Sequence, residues 1–263
     1  MAQLRATIRL VALCVVTCAL FVLLLAGLAV LIPSHRARNR WRSRMLRRWA
    51  KATAALLNLK ITTIGVPPPS PFFLVANHLS YLDVVALATQ VDCRFIAKRD
   101  VSSWPLIGLL CRSVGTIFID RENRRDLVRV NAATERALSE GVGVVLFAEG
   151  TSSEGATVLP FKPGLLELAA RAEMDVAHAA LSYRVPSDET PAHLSVCWWG
   201  DMTFITHLAG LMKLSAIDAT LVFGREPVRA ADRKQLAREL RAAVLEEFIP
   251  VVKQEEECAA LIR

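Results

Sequence analysis

The chain has 263 residues, of which 53% are hydrophobic, and its 32 Lys and Arg exceed its 25 Asp and Glu by a net charge of +7. This length accommodates one large domain or two small ones. The first 60 residues hold eleven Lys or Arg and no acid, whereas the rest hold 21 basic and 25 acidic residues. The excess of basic over acidic residues is thus confined to the first 60 residues. This argues against a nucleic-acid-binding protein, in which basic residues more often cover a folded face.

The six cysteines and five histidines lie apart from one another, with no Cys-x-x-Cys pair and no metal-ligand spacing. This pattern predicts neither a disulfide framework nor a metal site, and we expect no cofactor. Free thiols are typical of a protein body that faces the reducing cytosol.

An uncharged, apolar run covers residues 10–32. As a helix, its 23 residues would span about 34 Å, enough for the hydrocarbon core of a bilayer. A signal peptide is the alternative, since Arg5 and Arg9 precede the run, but its apolar region would be only about 7–15 residues long. Seven arginines follow at 36–48. They predict an uncleaved anchor in the inner membrane, with the rest of the chain on the cytoplasmic side.

Residues 37–57 show the spacing of an amphipathic helix. One stripe is apolar and comprises Trp41, Met45, Trp49 and Leu56. Around it lie the basic residues Arg38, Arg42, Arg44, Arg48 and Lys51. The pattern predicts an interfacial helix with its apolar stripe in lipid and its arginines near anionic headgroups; the alternative is a helix packed on the body. We therefore divide the chain into a membrane-attached segment, residues 1–60, and a folded domain, residues 61–263.

Beyond the Pro-rich stretch at 66–71, apolar or β-branched runs alternate with helical patterns. Strands are predicted at 72–76, 93–97, 115–119, 143–147, 176–183, 194–199 and 216–223. Helices are predicted at 81–89, 123–139, 164–172, 203–213 and 231–248. This alternation predicts an α/β fold with a mixed, largely parallel sheet flanked by helices, preceded by a transmembrane or interfacial helical segment.

His78 and Asp83 stand five residues apart, directly after the apolar run at 72–75. The two side chains can meet if His78 lies on the loop after a strand and Asp83 in the first turn of the next helix. Ser80 is well placed to cap that helix. A carboxylate held against one imidazole nitrogen leaves the other nitrogen as a base. Taken alone, the pair is better explained by a capping aspartate beside a packed or surface histidine.

This motif is the first of three stretches of sequence that belong together. The first reads Asn-His-Leu-Ser-Tyr-Leu-Asp at 77–83. The second begins with Phe-Ile-Ala-Lys-Arg at 95–99 and ends with Gly-Thr-Ile-Phe-Ile-Asp-Arg at 115–121, and the third reads Val-Leu-Phe-Ala-Glu-Gly-Thr at 145–151. In order and spacing they resemble the His-x4-Asp and following blocks of the glycerolipid acyltransferase family, typified by bacterial 1-acyl-glycerol-3-phosphate acyltransferases.

The resemblance implies transfer of a fatty acyl group from coenzyme A or acyl carrier protein to the hydroxyl of a lysolipid in the membrane. It implies that His78 is the general base and that Asp83 orients it. Because the lipid hydroxyl attacks directly, no enzyme nucleophile is required. Residues that could otherwise be read as nucleophiles are then core or loop residues, namely Cys93, Ser152 and Ser153.

The resemblance also implies residues that bind substrate. Arg121 matches the arginine that binds the acceptor phosphate in relatives, and Lys98 and Arg99 are further candidates for the headgroup. Glu149, Gly150 and Thr151 lie where a strand ends in a turn, a position that lets backbone amides face a ligand. Glu149 either holds the loop or binds substrate hydroxyls.

Two departures from the family pattern concern the acceptor. Ser152 stands where relatives usually have an arginine, and His178, which we interpret as a packed histidine, lies where a Val-Pro-like run is expected. Lysophosphatidic acid is the first expected acceptor, and another lysophospholipid or a lyso-ornithine-type aminolipid is the alternative. From other functional classes, a non-catalytic lipid-binding protein and a lipid ester or thioester hydrolase stay open.

Overall fold

The computed structural model describes residues 1–32, 34–120 and 126–252, and within them a seven-stranded sheet forms the centre. Its strands are β1 (Leu59–Ile64), β2 (Phe73–Ala76), β3 (Cys93–Lys98), β4 (Ile117–Ile119), β5 (Gly143–Phe147), β6 (Val176–Arg184) and β7 (Ile217–Phe223). Their order is β1-β7-β6-β2-β5-β3-β4. Five neighbouring strands are parallel to one another, namely β6, β2, β5, β3 and β4. Strand β7 is antiparallel to β6 and parallel to β1. The predicted mixed, largely parallel sheet is confirmed.

Helices cover both faces of the sheet, and their packing explains the strand sequences. They are α1 (Ala2–Val30), α2 (His35–Leu57), α3 (Leu82–Gln90), α4 (Ile107–Val114), α5 (Asp126–Ser139), α6 (Glu167–Arg171), α7 (Ala192–Ser195), α8 (Phe204–Leu211) and α9 (Arg233–Glu247). Every residue of the central strands β2 and β5 is buried, as expected for parallel strands covered on both sides. The outer strand β1 instead alternates between covered and exposed residues.

Helix α9 illustrates a local sequence signal that the structure confirms. Asp232 caps it by accepting hydrogen bonds from the backbone N–H groups of Lys234 and Gln235, at 3.0 and 2.8 Å. Its predicted apolar face is buried, with Leu236, Leu240 and Val244 all fully covered.

Two predicted elements differ from the structure, and one observed strand was not predicted. Residues 194–199 are not a strand: α7 occupies the first part, and Val196 and Cys197 are buried in the loop that follows. A short apolar run looks the same in a strand and in a buried loop, so periodicity could not separate them. The helix predicted at 164–172 begins as a 3-10 turn, Pro163–Leu166, before α6. Strand β1 was not predicted, because only Asn58, in a left-handed conformation at φ 53°, separates it from α2.

The prediction that the apolar stripe of α2 faces lipid is wrong. Met45 is only 2% exposed, and the indole N–H groups of Trp41 and Trp49 donate to the Leu24 carbonyl at 3.1 Å and the Thr17 hydroxyl at 3.0 Å. Helix α1 therefore covers this stripe. The opposite side of α2 packs on the core through Leu46, Ala50, Ala54 and Leu57.

Helix α1 is the one helix in the described residues that is long and apolar enough to cross a membrane, with a mean hydropathy of 2.9. Its outer face exposes Leu4, Ile8, Val11, Val15 and Val22. Its first turns are nevertheless fastened to the body. Arg5 donates to the backbone carbonyl of Lys213, and Arg9 donates to those of Met212 and Leu214, just after α8.

Candidate active site

The candidate site lies at the carboxyl edge of the parallel strands. Ala76 of β2 pairs with Phe147 of β5, and Leu146 of β5 pairs with Ile96 of β3, so these three strands end at the same level. The residues that follow them are His78, Glu149 and Arg99. This edge is the usual ligand-binding region of an open α/β sheet.

His78 and Asp83 meet as predicted. His78 Nδ1 lies 2.7 Å from Asp83 Oδ2, and the same oxygen accepts the backbone N–H groups of Leu79 at 2.7 Å and Ser80 at 3.0 Å. Asp83 is fully buried in the first turn of α3. The Ser80 hydroxyl does not cap the helix, since its oxygen is buried with no hydrogen-bond partner among the described residues. Asp83 therefore caps the loop and holds His78 with one carboxylate.

This arrangement fixes the tautomer of His78. Because the Asp83 carboxylate can only accept, Nδ1 carries the hydrogen and Nε2 carries the lone pair. The imidazole stacks on Phe147, with ring centroids 4.2 Å apart and planes inclined by 15°. The side chain is still 22% exposed. A substrate hydroxyl can thus reach Nε2 of an oriented imidazole.

Glu149 contacts the loop that carries His78, in line with the first of the two roles left open by the sequence. It is 1% exposed, and its two oxygens accept the backbone N–H groups of His78 at 2.6 Å and Leu159 at 2.9 Å. Burial raises the pKa of the Glu149 carboxyl to about 7, against the opposing effect of the two backbone hydrogen bonds. The nearby charge of Asp83 raises it further.

Replacing Glu149 by glutamine should remove a pH dependence of folding stability. A raised pKa means that the contribution of this carboxyl is fully present below its usual value of 4.5 and is lost as the pH rises through about 7. From about pH 5 to about pH 8, the wild type should lose on the order of 2 kcal/mol of unfolding free energy relative to Glu149→Gln. Urea denaturation of both proteins across this range tests the sign, and parallel curves would contradict the shifted titration.

The predicted headgroup cations carry acidic partners. Lys98 Nζ lies 2.5 Å from Asp100, and Arg99 lies 3.3 Å from Asp120, both near the end of β3. Arg121 falls outside the described residues. Lys98 and Arg99 are mostly exposed, so an anionic headgroup would have to replace these carboxylates.

The turn after β5 differs from the expectation that its amides face a ligand. Gly150 adopts φ +80°, and its N–H donates back to the Phe147 carbonyl at 3.2 Å. Thr151 is exposed. The Ser152 hydroxyl donates to the backbone carbonyl of Trp198, which ties this turn to the loop before α8.

Neither the serines nor the buried cysteine has the surroundings of a nucleophile. Cys93 is 2% exposed in β3, and burial raises the pKa of its thiol, which keeps it protonated. The Ser152 hydroxyl donates to Trp198, and the Ser153 hydroxyl is buried with no hydrogen-bond partner among the described residues, so no base there activates it. These residues shape the core and the loop around His78.

Two side chains that support the loop carrying His78 were missed from the sequence. The Tyr183 hydroxyl donates to Asp83 Oδ1 at 2.7 Å. The Asn77 amide exchanges two hydrogen bonds with the backbone of Leu181, at 2.9 and 2.7 Å. A tyrosine inside a predicted buried strand needs a hydrogen-bond partner, and this signal could have pointed to Tyr183.

An aromatic group covers the loop on the side of α8. It comprises Tyr81, Trp104, Trp198 and Phe204, with ring centroids 5.2 to 6.2 Å apart. The Tyr81 hydroxyl donates to His207 Nδ1 at 2.9 Å, and His207 Nε2 donates to the Cys197 carbonyl at 3.0 Å. Residues 197–207 therefore form one wall beside the loop that carries His78.

The comparisons with known proteins agree with this geometry. The family model described as Acyltransferase matches residues 60–183. A lyso-ornithine lipid O-acyltransferase of Brucella abortus is 34% identical over 223 residues, which cover 80% of this chain and 83% of that protein. The chain belongs to the glycerolipid acyltransferase family.

This acyltransferase also resembles relatives that act on other lipids. A 1-acyl-sn-glycerol-3-phosphate acyltransferase of Neisseria gonorrhoeae is 31% identical over 73% of this chain and 76% of that protein. The crystal structure of the 1-acyl-sn-glycerophosphate acyltransferase PlsC from Thermotoga maritima covers 94% of this chain and 98% of its own, with a TM-score of 0.61 and 18% identity. That likeness shows a shared fold.

Proposed function

We propose that this acyltransferase moves a fatty acyl group from a thioester, on coenzyme A or acyl carrier protein, to the free hydroxyl of a lysolipid. The observation that carries the proposal is the 2.7 Å contact between His78 Nδ1 and the buried Asp83 carboxylate. His78 Nε2 takes the hydroxyl proton as the oxygen attacks the thioester carbonyl carbon. When the C–S bond breaks, the departing thiolate receives this proton. These steps require no metal, cofactor or covalent enzyme intermediate.

The acceptor that we propose first is a lyso-ornithine lipid. Its headgroup carries an ammonium as well as a carboxylate, unlike a phosphate monoester. The turn at 149–155 contains no Lys or Arg, and the hydroxyl of Ser152 is taken up by Trp198. Glu154 in this turn is half-buried, and no ion pair joins it to another described residue. An acidic turn favours an ammonium over a phosphate, and the name of the Brucella relative supports this choice.

Lysophosphatidic acid is the second candidate, supported by the names of the Neisseria and Thermotoga proteins. An assay with the full chain, labelled acyl-coenzyme A or acyl carrier protein, and either acceptor separates the two. We expect lyso-ornithine lipid to be acylated at least about tenfold faster, the effect of one mismatched charged contact. Transfer to lysophosphatidic acid alone would select the second candidate. Donor breakdown without any acceptor would indicate a hydrolase, and no turnover with bound lipid would indicate a lipid-binding protein.

We propose that residues 1–60 attach the protein to the inner membrane and that residues 61–263 form the catalytic domain on its cytoplasmic side. Helix α1 is about 43 Å long at 1.5 Å per residue. It nevertheless contacts the catalytic domain near its start through Arg9, and it contacts α2 at its middle through Thr17 and near its end through Leu24. Helix α2 itself packs on the core of that domain. These contacts favour a helix that lies along one leaflet over one that spans the bilayer. The exposed Arg36, Arg40, Arg44 and Arg48 of α2 would then face anionic headgroups.

Protease accessibility tests this orientation. A cleavable tag before Met1 and another after Arg263 should both be cut from the cytoplasmic face of inner-membrane vesicles and both be protected in intact spheroplasts. The prediction follows because the start of α1 contacts the catalytic domain directly, and its end contacts α2, which packs on that domain. Cleavage of the N-terminal tag in spheroplasts would instead support a spanning anchor.

A further inference from the structure

We propose that Tyr183 is a positioning residue that holds the Asp83 carboxylate, and through it the His78 ring, in the geometry required for acyl transfer. The inference rests on the function proposed above. It assigns to β6 a part in catalysis that the His-x4-Asp motif does not contain.

The hydrogen-bond donors to Asp83 are divided unevenly between its two oxygens. Oδ2 accepts from His78 Nδ1 and from the backbone N–H groups of Leu79 and Ser80, at 2.7 to 3.0 Å. All three donors belong to the loop that the carboxylate holds, so they do not define its orientation relative to the sheet. Oδ1 accepts from the Tyr183 hydroxyl at 2.7 Å. Among the described residues, Tyr183 is the one strand residue that forms a hydrogen bond with the Asp83 side chain.

Strand β6 is a rigid support for this bond. It continues past the last pair it makes with β2, Ala179 with Ala76, and Tyr183 lies in this extension, paired with Ala219 of β7. Tyr183 is 1% exposed. The Asn77 side chain also bonds to this extension. The same piece of strand thus holds the catalytic loop at its start, through Asn77, and at its end, through Asp83.

The phenol acts as a hydrogen-bond donor throughout the working pH range. Burial, reinforced by the charge of Asp83, raises the pKa of Tyr183 well above its usual value, so the hydroxyl keeps its proton. A donor on Oδ1 stabilises the carboxylate charge. Without it, the carboxylate attracts the proton of His78 more strongly, and the base is protonated at a higher pH.

Tyr183→Phe removes only the hydroxyl and tests the proposal. We expect kcat to fall about 10- to 100-fold and the acidic limb of the kcat/KM profile to move up by about 0.5 to 1 pH unit, with KM for the acyl donor unchanged. Ser182→Ala is the matched control, because it removes a buried hydroxyl from the neighbouring strand position, where Ser182 accepts from the backbone N–H of Ile249 at 3.1 Å. It should leave the acidic limb in place even if it lowers thermal stability.

Incorporating 3-fluorotyrosine at position 183 gives an independent measurement in a protein of nearly unchanged shape. The more acidic phenol is a stronger donor, so the acidic limb should move down, opposite to Tyr183→Phe. An acidic limb that stays at the wild-type position in both variants, compared at equal folded fraction, would overturn the role of Tyr183. The midpoint of the His78 titration, followed by NMR, should move in the same directions. The NMR titration tests the contact between Tyr183 and Asp83 even if the wild type shows no acyl transfer. Absence of acyl transfer would overturn the proposed function and not the role of Tyr183.

Discussion

Replacing His78 by alanine should reduce acyl transfer by about a thousandfold or more while the protein stays folded. The loss is large because the proposed mechanism has a single base, and Nε2 of this ring is the nitrogen that Asp83 leaves free. Folding should persist, since the side chain is 22% exposed and its backbone contacts to Glu149 and Ser153 do not depend on the imidazole. Turnover of labelled acyl donor with lysolipid acceptor measures the effect.

His193→Ala is the matched control for this experiment, because it removes an imidazole from α7 and His193 is not among the hydrogen-bond partners of Asp83. It should leave acyl transfer within about twofold of the wild type. A His78→Ala protein that keeps more than about a tenth of the wild-type rate would show that another group accepts the hydroxyl proton.

Replacing Asp83 by asparagine should impair both folding and catalysis. The carboxylate accepts four hydrogen bonds, from His78, Leu79, Ser80 and Tyr183, and an amide of the same shape has only one accepting oxygen. Buried donors would therefore face the NH2 group, which should cost on the order of 3 kcal/mol of unfolding free energy. Acyl transfer per folded molecule should fall about a thousandfold or more, because His78 loses its tautomer and orientation.

Urea denaturation and steady-state turnover on the same preparation separate these two effects. Asp218→Asn makes the same chemical change at an exposed position of β7 and should alter neither measurement appreciably. If Asp83→Asn lowered stability but left turnover per folded molecule intact, Asp83 would be a helix cap without a catalytic part.

The elements that could be predicted from the sequence are those with strong local patterns. Strand β5 was predicted at its observed bounds because five apolar or small residues stand between turn residues. Helix α9 was predicted from the helical spacing of Leu236, Leu240, Val244 and Phe248 and from Asp232 at its start. The strand predicted at 194–199 is absent because Val196 and Cys197 are buried within a loop, in which Trp198 donates its backbone N–H to the Leu79 carbonyl at 2.8 Å.

In the candidate site, too, the local contact could be predicted and the contacts between distant segments could not. The pairing of His78 with Asp83 was predictable because it lies within one strand–loop–helix turn. The role of Glu149 could not be chosen, because its partners His78 and Leu159 come from two separate segments. The lipid-facing stripe of α2 was predicted wrongly, because amphipathic spacing gives the buried face of a helix but does not say whether lipid or protein covers it.

The amino-acid sequence alone determined the α/β alternation, the position of the apolar helix and its basic neighbour, and the pairing of His78 with Asp83. Each of these depends on residues close together in the chain. Only the tertiary structure decided what braces the pair, because Glu149 is 71 residues from His78 and Tyr183 is 100 residues from Asp83. The strand order β6-β2-β5 brings them together, and that order follows from how the whole chain buries its apolar faces rather than from any local spacing.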